Sequence, residues 1–145
     1  MQFGEGGAGM FSDGKLNSGI KDPRCRAVLE ALVAAGAPEE ILWEARPHVG
    51  TDKLTKAVVG IRSEIVALGG EARFETKLTG LVVSQGALCA ARTRTRSGAE
   101  DEIPCERLIL AVGHSARDTF VMLHDMGLPM EPKPFAMGVR IEHRQ

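Results

Sequence analysis

The sequence predicts an α/β fold: a partial parallel sheet with flanking helices, carrying a three-stranded antiparallel meander. Three observations predict it. The apolar residues Leu108, Ile109, Leu110, Ala111 and Val112 stop at Gly113 and give way to a helical pattern, the order of a buried strand running into a helix. Leu54, Val58, Ile61, Ile65 and Leu68 recur at i, i+4, i+7, i+11 and i+14, a stripe along one helix face. Between these two features lie β-prone runs separated by Gln85-Gly86 and Ser97-Gly98, the punctuation of a meander.

Residues 1–20 have no apolar period and read as a glycine-rich loop; six of the 17 glycines fall within the first 19 positions. Asp22 before Pro23 is an N-cap followed by proline at the first helical position. The helix it opens carries Val28, Leu29, Leu32 and Val33 on one face and ends near Gly36. Pro38, Glu39 and Glu40 start a second, short helix through Ile41, Leu42 and Trp43, closed by Pro47. Thr51 or Asp52 caps the long striped helix, which Gly69-Gly70 ends. Together these make residues 22–69 helical.

Residues 71–75 look like a short strand, predicted to lie parallel and close to 108–112. The meander spans 77–107, with strands at 79–84, 87–95 and 102–105. Residues 108–127 form a strand, a turn and a helix. Ser115 and Asp118 have the [ST]-x-x-[DE] spacing of a capping box ahead of Phe120, Val121 and Leu123, and the helix ends near Gly127. Residues 135–142 alternate enough for a last strand. We therefore expect one α/β body over 21–145. The chain begins in loop and stops about where a strand finishes, the outline of an interior piece of a longer polypeptide.

Composition narrows the functional classes. With 43% hydrophobic and 26% charged residues, 145 residues are enough to bury a core without disulfides or metals. A net charge of −1 gives no general pull toward nucleic acid or an anionic membrane. No apolar run approaches the roughly 20 residues that span a bilayer. The start, Met1-Gln2-Phe3-Gly4, lacks the basic and apolar regions of a signal peptide, so a cytoplasmic location is expected. Cys25, Cys89 and Cys105 are odd in number and form no C-x-x-C, the pattern of reduced thiols. The absence of tyrosine argues against an aromatic platform for single-stranded nucleic acid.

Several motifs have two readings. Gly4-Glu5-Gly6-Gly7-Ala8-Gly9 matches G-x-G-x-x-G letter for letter, but a dinucleotide turn needs a buried strand just before it, and only three residues precede Gly4. A loop that lets backbone approach a ligand, or a plain flexible terminus, remains. Arg92, Arg94 and Arg96 share one strand face; they are either a nucleic-acid or phosphate stripe or the partners of Glu100, Asp101 and Glu102 across the turn, and pairing explains both runs at once. His114, between Gly113 and the helix, is a candidate hydrogen-bond donor or acid–base group, or an ordinary loop histidine. His48 lies in a similar pre-helix turn. His124 and His143 have no partners at ligand spacing, so no metal site is expected. Cys25, near a helix start, reads as structural.

These motifs together resemble a known group. Residues 2–17 (QFGEGGAGMFSDGKLN) look like the glycine-rich segment of a bacterial family of uncharacterised FAD-dependent dehydrogenases, NAD(FAD)-utilising dehydrogenase-like flavoproteins. PHVGTDKL at 47–54, LAVGHSARDTF at 110–120 and KPFAMGVRIEH at 133–143 resemble its later motifs in order. More distantly, the order of elements over 52–113 is similar to the wider flavoproteins with two dinucleotide-binding domains.

The resemblance implies an interior fragment of such a flavoenzyme, lacking the N-terminal βαβ unit that grips the adenosine half of FAD. It implies that Gly6, Gly7, Ala8, Gly9 and Lys15 approach the flavin or its pyrophosphate, and that Gly113, His114 and Ser115 pack beside the cofactor. NADH or NADPH would be the co-substrate and a small molecule the redox substrate, with hydride or electron transfer through the flavin. No residue stands out as a proton donor, although His114 and Lys15 are candidates. The fragment alone is expected to hold flavin weakly or not at all, to be inactive, and to self-associate through open sheet edges. The alternative is a stand-alone, non-catalytic α/β module binding a nucleotide or metabolite at the Gly113 crevice.

Overall fold

Asp22 opens the first helix. Its Oδ1 accepts a hydrogen bond from the Arg24 N–H at 2.8 Å, and Pro23 already has helical angles (φ −54°, ψ −27°). Helix α1 then runs Arg24–Ala34. It ends with two backbone bonds, Gly36 N–H to the Val33 carbonyl and Ala37 N–H to the Leu32 carbonyl, both 2.9 Å. This is a Schellman motif, and the residue at its centre must be left-handed; Gly36 has φ +105°. The same pair of bonds closes the two later helices, at Gly69-Gly70 and at Gly127-Leu128. The computed structural model describes residues 4–11, 14–16, 20–134, 137–139 and 141–143, and of Ala8 only the backbone.

The chain divides into two compact units, residues 1–75 and 76–145. In the first, the glycine-rich segment includes a short 3-10 helix, Gly7–Phe11. The short helix after Pro38 is also 3-10, Glu39–Leu42; Ile41 points into the core, while Trp43 just beyond it is 68% exposed. Helix α2 is Thr51–Ala67, with Gly50 preceding it, so Thr51 is the first helical residue and not the cap. Ala37, Ile41, Val49, Leu54 and Ala57 form the core, with Leu29, Leu32, Val33 and Val58 packed against it. The α2 stripe is thus buried only in its first half: Leu54 is covered, and Leu68 is 81% exposed. Near its middle, a Cβ on Gly60 would lie 3.0 Å from the Ala35 carbonyl oxygen, so the glycine sets how closely α2 passes the end of α1.

The second unit is the meander with one helix. Strands β1 (Thr76–Ser84), β2 (Ala87–Thr95) and β3 (Glu100–Pro104) form an antiparallel sheet in that order. The Gln85-Gly86 turn has positive φ at both residues, +52° and +79°, the type I′ geometry whose twist matches a hairpin. At the second turn, Thr95 faces Ala99 across Arg96-Ser97-Gly98, with Thr95 N–H donating to the Ala99 carbonyl at 2.8 Å. That register sets Arg92 opposite Glu102 and Arg94 opposite Glu100, and ion pairs of 2.8 and 2.6 Å form. The charge runs therefore pair across the sheet, as the sequence predicts.

Helix α3 (Arg117–Asp125) packs on β1 through buried Thr119 and Leu123. Its expected capping box is absent. Arg117 N–H donates to the Ser115 carbonyl, and the Asp118 carboxylate accepts from Thr119 N–H and pairs with Lys77 Nζ on β1 at 2.5 Å. A carboxylate held by an ammonium does not turn back to cap the helix.

Lys77 holds the Asp118 carboxyl below its ordinary value of 3.8, helped by the Thr119 N–H. A depressed folded-state pKa means that the pair's stabilisation is present above pH 3.8 and is lost as pH falls through the lower, folded value. The Asp118 carboxyl carbon, followed by NMR, should titrate below its value in the unfolded chain. Asp118→Asn should remove that acid-linked component. Titration at or above the unfolded value would show that the pair does not form.

Two expected strands are missing. Residues 71–73 are irregular, Phe74 and Glu75 form a turn, and β1 starts directly after them. Residues 108–112 carry no strand pairing, and Ile109 is 92% exposed. The physical reason is the ladder. A short apolar run becomes a buried strand only if neighbours take its N–H and C=O groups, and β3 pairs with β2 alone. The parallel pairing of 71–75 with 108–112 is therefore not formed. Of the last expected strand, Phe135, Ala136 and Arg140 lie outside the described residues, and 137–139 and 141–143 carry no strand pairing. No helix among the described residues is long and apolar enough to cross a membrane.

Candidate functional site

Two segments that the sequence reading singled out separately meet in the first unit. Leu16 N–H donates to the Pro47 carbonyl at 2.9 Å, and Val49 N–H donates to the Gly14 carbonyl at 3.0 Å. These bonds flank Lys15 and His48 as an antiparallel bridge. A pair flanked in this way is the non-hydrogen-bonded kind, in which facing Cα atoms come to about 4.5 Å and the side chains stand close together. Val49 is buried beneath the bridge, Leu16 packs at the edge of the core, and Lys15 and His48 are exposed. Gly14 makes the contact feasible. It is buried, has φ +70°, and a Cβ there would lie 3.0 Å from the Gly50 nitrogen. Helix α2 starts just beyond, at Thr51.

The glycines before the bridge divide into two kinds. A Cβ on Gly6 would fall 2.2 Å from Met10 Cγ, and one on Gly9 3.1 Å from Leu54 Cδ2. These two serve the loop's own packing. At Gly4 and Gly7, both with positive φ, a Cβ would meet nothing within 4 Å, so backbone there is open to approach. Gln2, Phe3, Ser12, Asp13 and Asn17 of the same motif lie outside the described residues. Sequence reading missed one further link: Arg62 Nε on α2 stands 2.8 Å from Glu5 Oε1, an ion-pair approach without hydrogen-bond alignment, and the guanidinium lies 5.3 Å from the Phe74 ring centroid. The three residues are far apart in sequence and share no period, so no sequence signal joined them.

In the second unit, Gly113 has φ +71° with open space where a Cβ would sit. His114 and Ser115 form the exposed turn before α3, and Ser115 Oγ is 3.3 Å from His114 Nε2. The predicted cofactor residues thus fall into two sets, Gly6, Gly7, Ala8, Gly9 and Lys15 in one unit and Gly113, His114 and Ser115 in the other. Among the described residues, no group of three or more His, Cys, Asp or Glu could hold a metal ion.

No protein-family model matches the chain. Over all 145 residues it is 51% identical to a protein of Clostridium beijerinckii described as "Uncharacterized protein". The chain spans about a quarter of that relative, 26% of its length.

Proposed function

We propose that these residues are the central part of an FAD-dependent oxidoreductase, using a nicotinamide nucleotide as electron partner and acting on a small molecule. The observation that carries this reading is the Lys15–His48 bridge. Two of the four motifs that resemble the flavoprotein family are stitched together by backbone bonds, and their polar side chains are left at the surface. A relative of which this chain matches 26% also supports a longer parent protein.

The residues present fit the cofactor in part. Gly7 and Gly113, with positive φ and open space, allow close approach by a planar ring or a phosphate, whereas Gly6 and Gly9 are occupied by their own packing. Taken unit by unit, Gly7 and Lys15 in the first and Gly113, His114 and Ser115 in the second are the residues that would contact such a group. Bound flavin supplies hydride or electron-pair transfer, and these residues supply orientation and charge. In the parent protein, the run at 108–112 would gain strand neighbours and complete a parallel sheet. Of the open edges here, β3 is guarded by Glu100, Asp101, Glu102 and Pro104, so self-association would use β1.

The test is the visible spectrum of the full-length parent protein, which should show bound flavin. Gly113→Val should yield largely apoprotein, because a β-branched residue strains a left-handed backbone and crowds the open face. Arg94→Ala, on the paired sheet face, should leave flavin content unchanged. A colourless full-length protein that takes up no added FAD refutes the reading. Equal flavin content in both variants refutes the role of the Gly113 turn.

A further inference from the structure

Cys89 and Cys105 stand opposite one another at the end of the β2–β3 ladder. The register pairs Arg92 with Glu102, Ala91 with Ile103 and Ala90 with Pro104, and the next pair in that series is Cys89 with Cys105. The ladder reaches it: Cys105 N–H donates to the Cys89 carbonyl at 3.0 Å, one residue past the end of β3. This is one of the two bonds of a hydrogen-bonded pair, and in a full pair the facing Cα atoms lie about 5.5 Å apart. A disulfide spans roughly 4.4–6.8 Å between Cα atoms. A pair that continues the ladder to this point falls within that Cα range.

Local structure also makes one of the two thiols accessible. Between β1 and β2 the register skips Cys89, since Val82 faces Ala90 and Val83 faces Leu88. Cys89 is the extra residue of a β-bulge, a feature that bends the strand and re-aims a side chain. This accounts for an exposed cysteine beside buried Ala90 and Ala91. Its thiol donates only a weak bond, 3.5 Å, to the Ala87 carbonyl. Cys105 is half-buried, and both are free thiols. Cys25 sits on α1, its thiol 3.8 Å from the Ile20 carbonyl.

We propose that Cys89 and Cys105 form a redox-responsive dithiol, closed to a cross-strand disulfide by low-molecular-weight disulfides R–S–S–R. The Cys89 thiolate attacks one sulfur of the reagent. A Cys89–S–S–R bond forms, the reagent's S–S bond breaks, and the departing thiolate takes up a proton to leave as R–SH. The Cys105 thiolate then attacks Cys89 Sγ, forms the Cys89–Cys105 bond and expels the second R–SH. The protein loses two electrons and two protons, and one R–S–S–R becomes two R–SH. Closure pins residue 105 to β2 and so fixes the start of the exposed stretch that leads to Gly113. The proposal does not depend on the flavin reading.

The test incubates the reduced chain with oxidised glutathione, alkylates the remaining thiols, and maps the products by mass spectrometry after trypsin. Arg92, Arg94 and Arg96 lie between the two cysteines, so cleavage separates the linked peptides. The expected product joins Cys89 to Cys105, in the wild type and equally in Cys25→Ser. Its thermal midpoint should exceed that of the reduced chain by on the order of 5 °C. Cys105→Ser should stop at glutathione on Cys89. Separate glutathionylation of Cys89 and Cys105 with no linked peptide overturns the proposal. So does linkage that is no faster in the folded chain than in urea.

Discussion

Ile41→Ala should lower the stability of the chain by about 2–5 kcal/mol, read from its urea or thermal unfolding. Ile41 is 1% exposed and sits between Ala37, Val49, Leu54 and Ala57, so truncation loses apolar burial and leaves a cavity. The site resists collapse. Two of its neighbours, Ala37 and Ala57, are alanines with no side-chain length to give, and α2, which carries Ala57, is already held close to α1 by Gly60. Trp43→Ala provides the contrast. The indole is far larger, but the residue is 68% exposed, and its loss should cost less than about 1 kcal/mol. If the two variants unfold alike, the assigned core is wrong.

The second large effect belongs to Gly14→Val. The left-handed backbone at φ +70° costs a non-glycine residue about 1–3 kcal/mol. The new Cβ would also press on the Gly50 nitrogen from 3.0 Å, and backbone there has nowhere simple to go. The bridge should open. Hydrogen exchange at the Leu16 and Val49 amides, which the two bridge bonds should slow in the parent chain, should accelerate in the variant. On the proposed flavin reading, the flavin content of the full-length protein should fall with it. Lys15→Ala keeps the backbone bonds and separates the two effects. It should leave amide protection intact and weaken only what the ammonium holds. Unchanged protection in Gly14→Val would remove the bridge from the argument.

The helices and the meander were legible because their signals are local. Asp22-Pro23, Gly36, Gly69-Gly70 and Gln85-Gly86 each act through bonds to residues a few positions away, and each does in the structure what its chemistry predicts. The arginine and acidic runs were legible for the same reason, since a turn fixes which residue faces which. The Cys89–Cys105 pair was equally readable. Once Ser97-Gly98 sets Thr95 against Ala99, counting outward sets 89 against 105. The reading by cysteine number and C-x-x-C spacing passed over that register.

What failed was long-range. Residues 108–112 have the composition of a buried strand and 71–75 the look of a short one, but composition cannot supply a neighbour, and neither forms a ladder here. Ser115 and Asp118 had capping-box spacing, but Lys77, distant in sequence, took the carboxylate. The bridge between Lys15 and His48 was equally invisible. Each residue was marked as a candidate on its own motif, and nothing in either motif points to the other. The glycine-rich segment was read as open to a ligand, whereas Met10 and Leu54 fill the space beside Gly6 and Gly9.

The two turns of the sheet also bear on how the chain reaches its native state. Each joins strands adjacent in sequence, so forming β1 to β3 closes only short loops, and little chain entropy is lost before the contacts form. Hairpins of this kind zip in microseconds. The seam between Gly14–Leu16 and Pro47–Val49 must instead wait for α1 and the residues after it to be in place. On a ribosome, the segment made later should therefore acquire its shape no more slowly than the one made first.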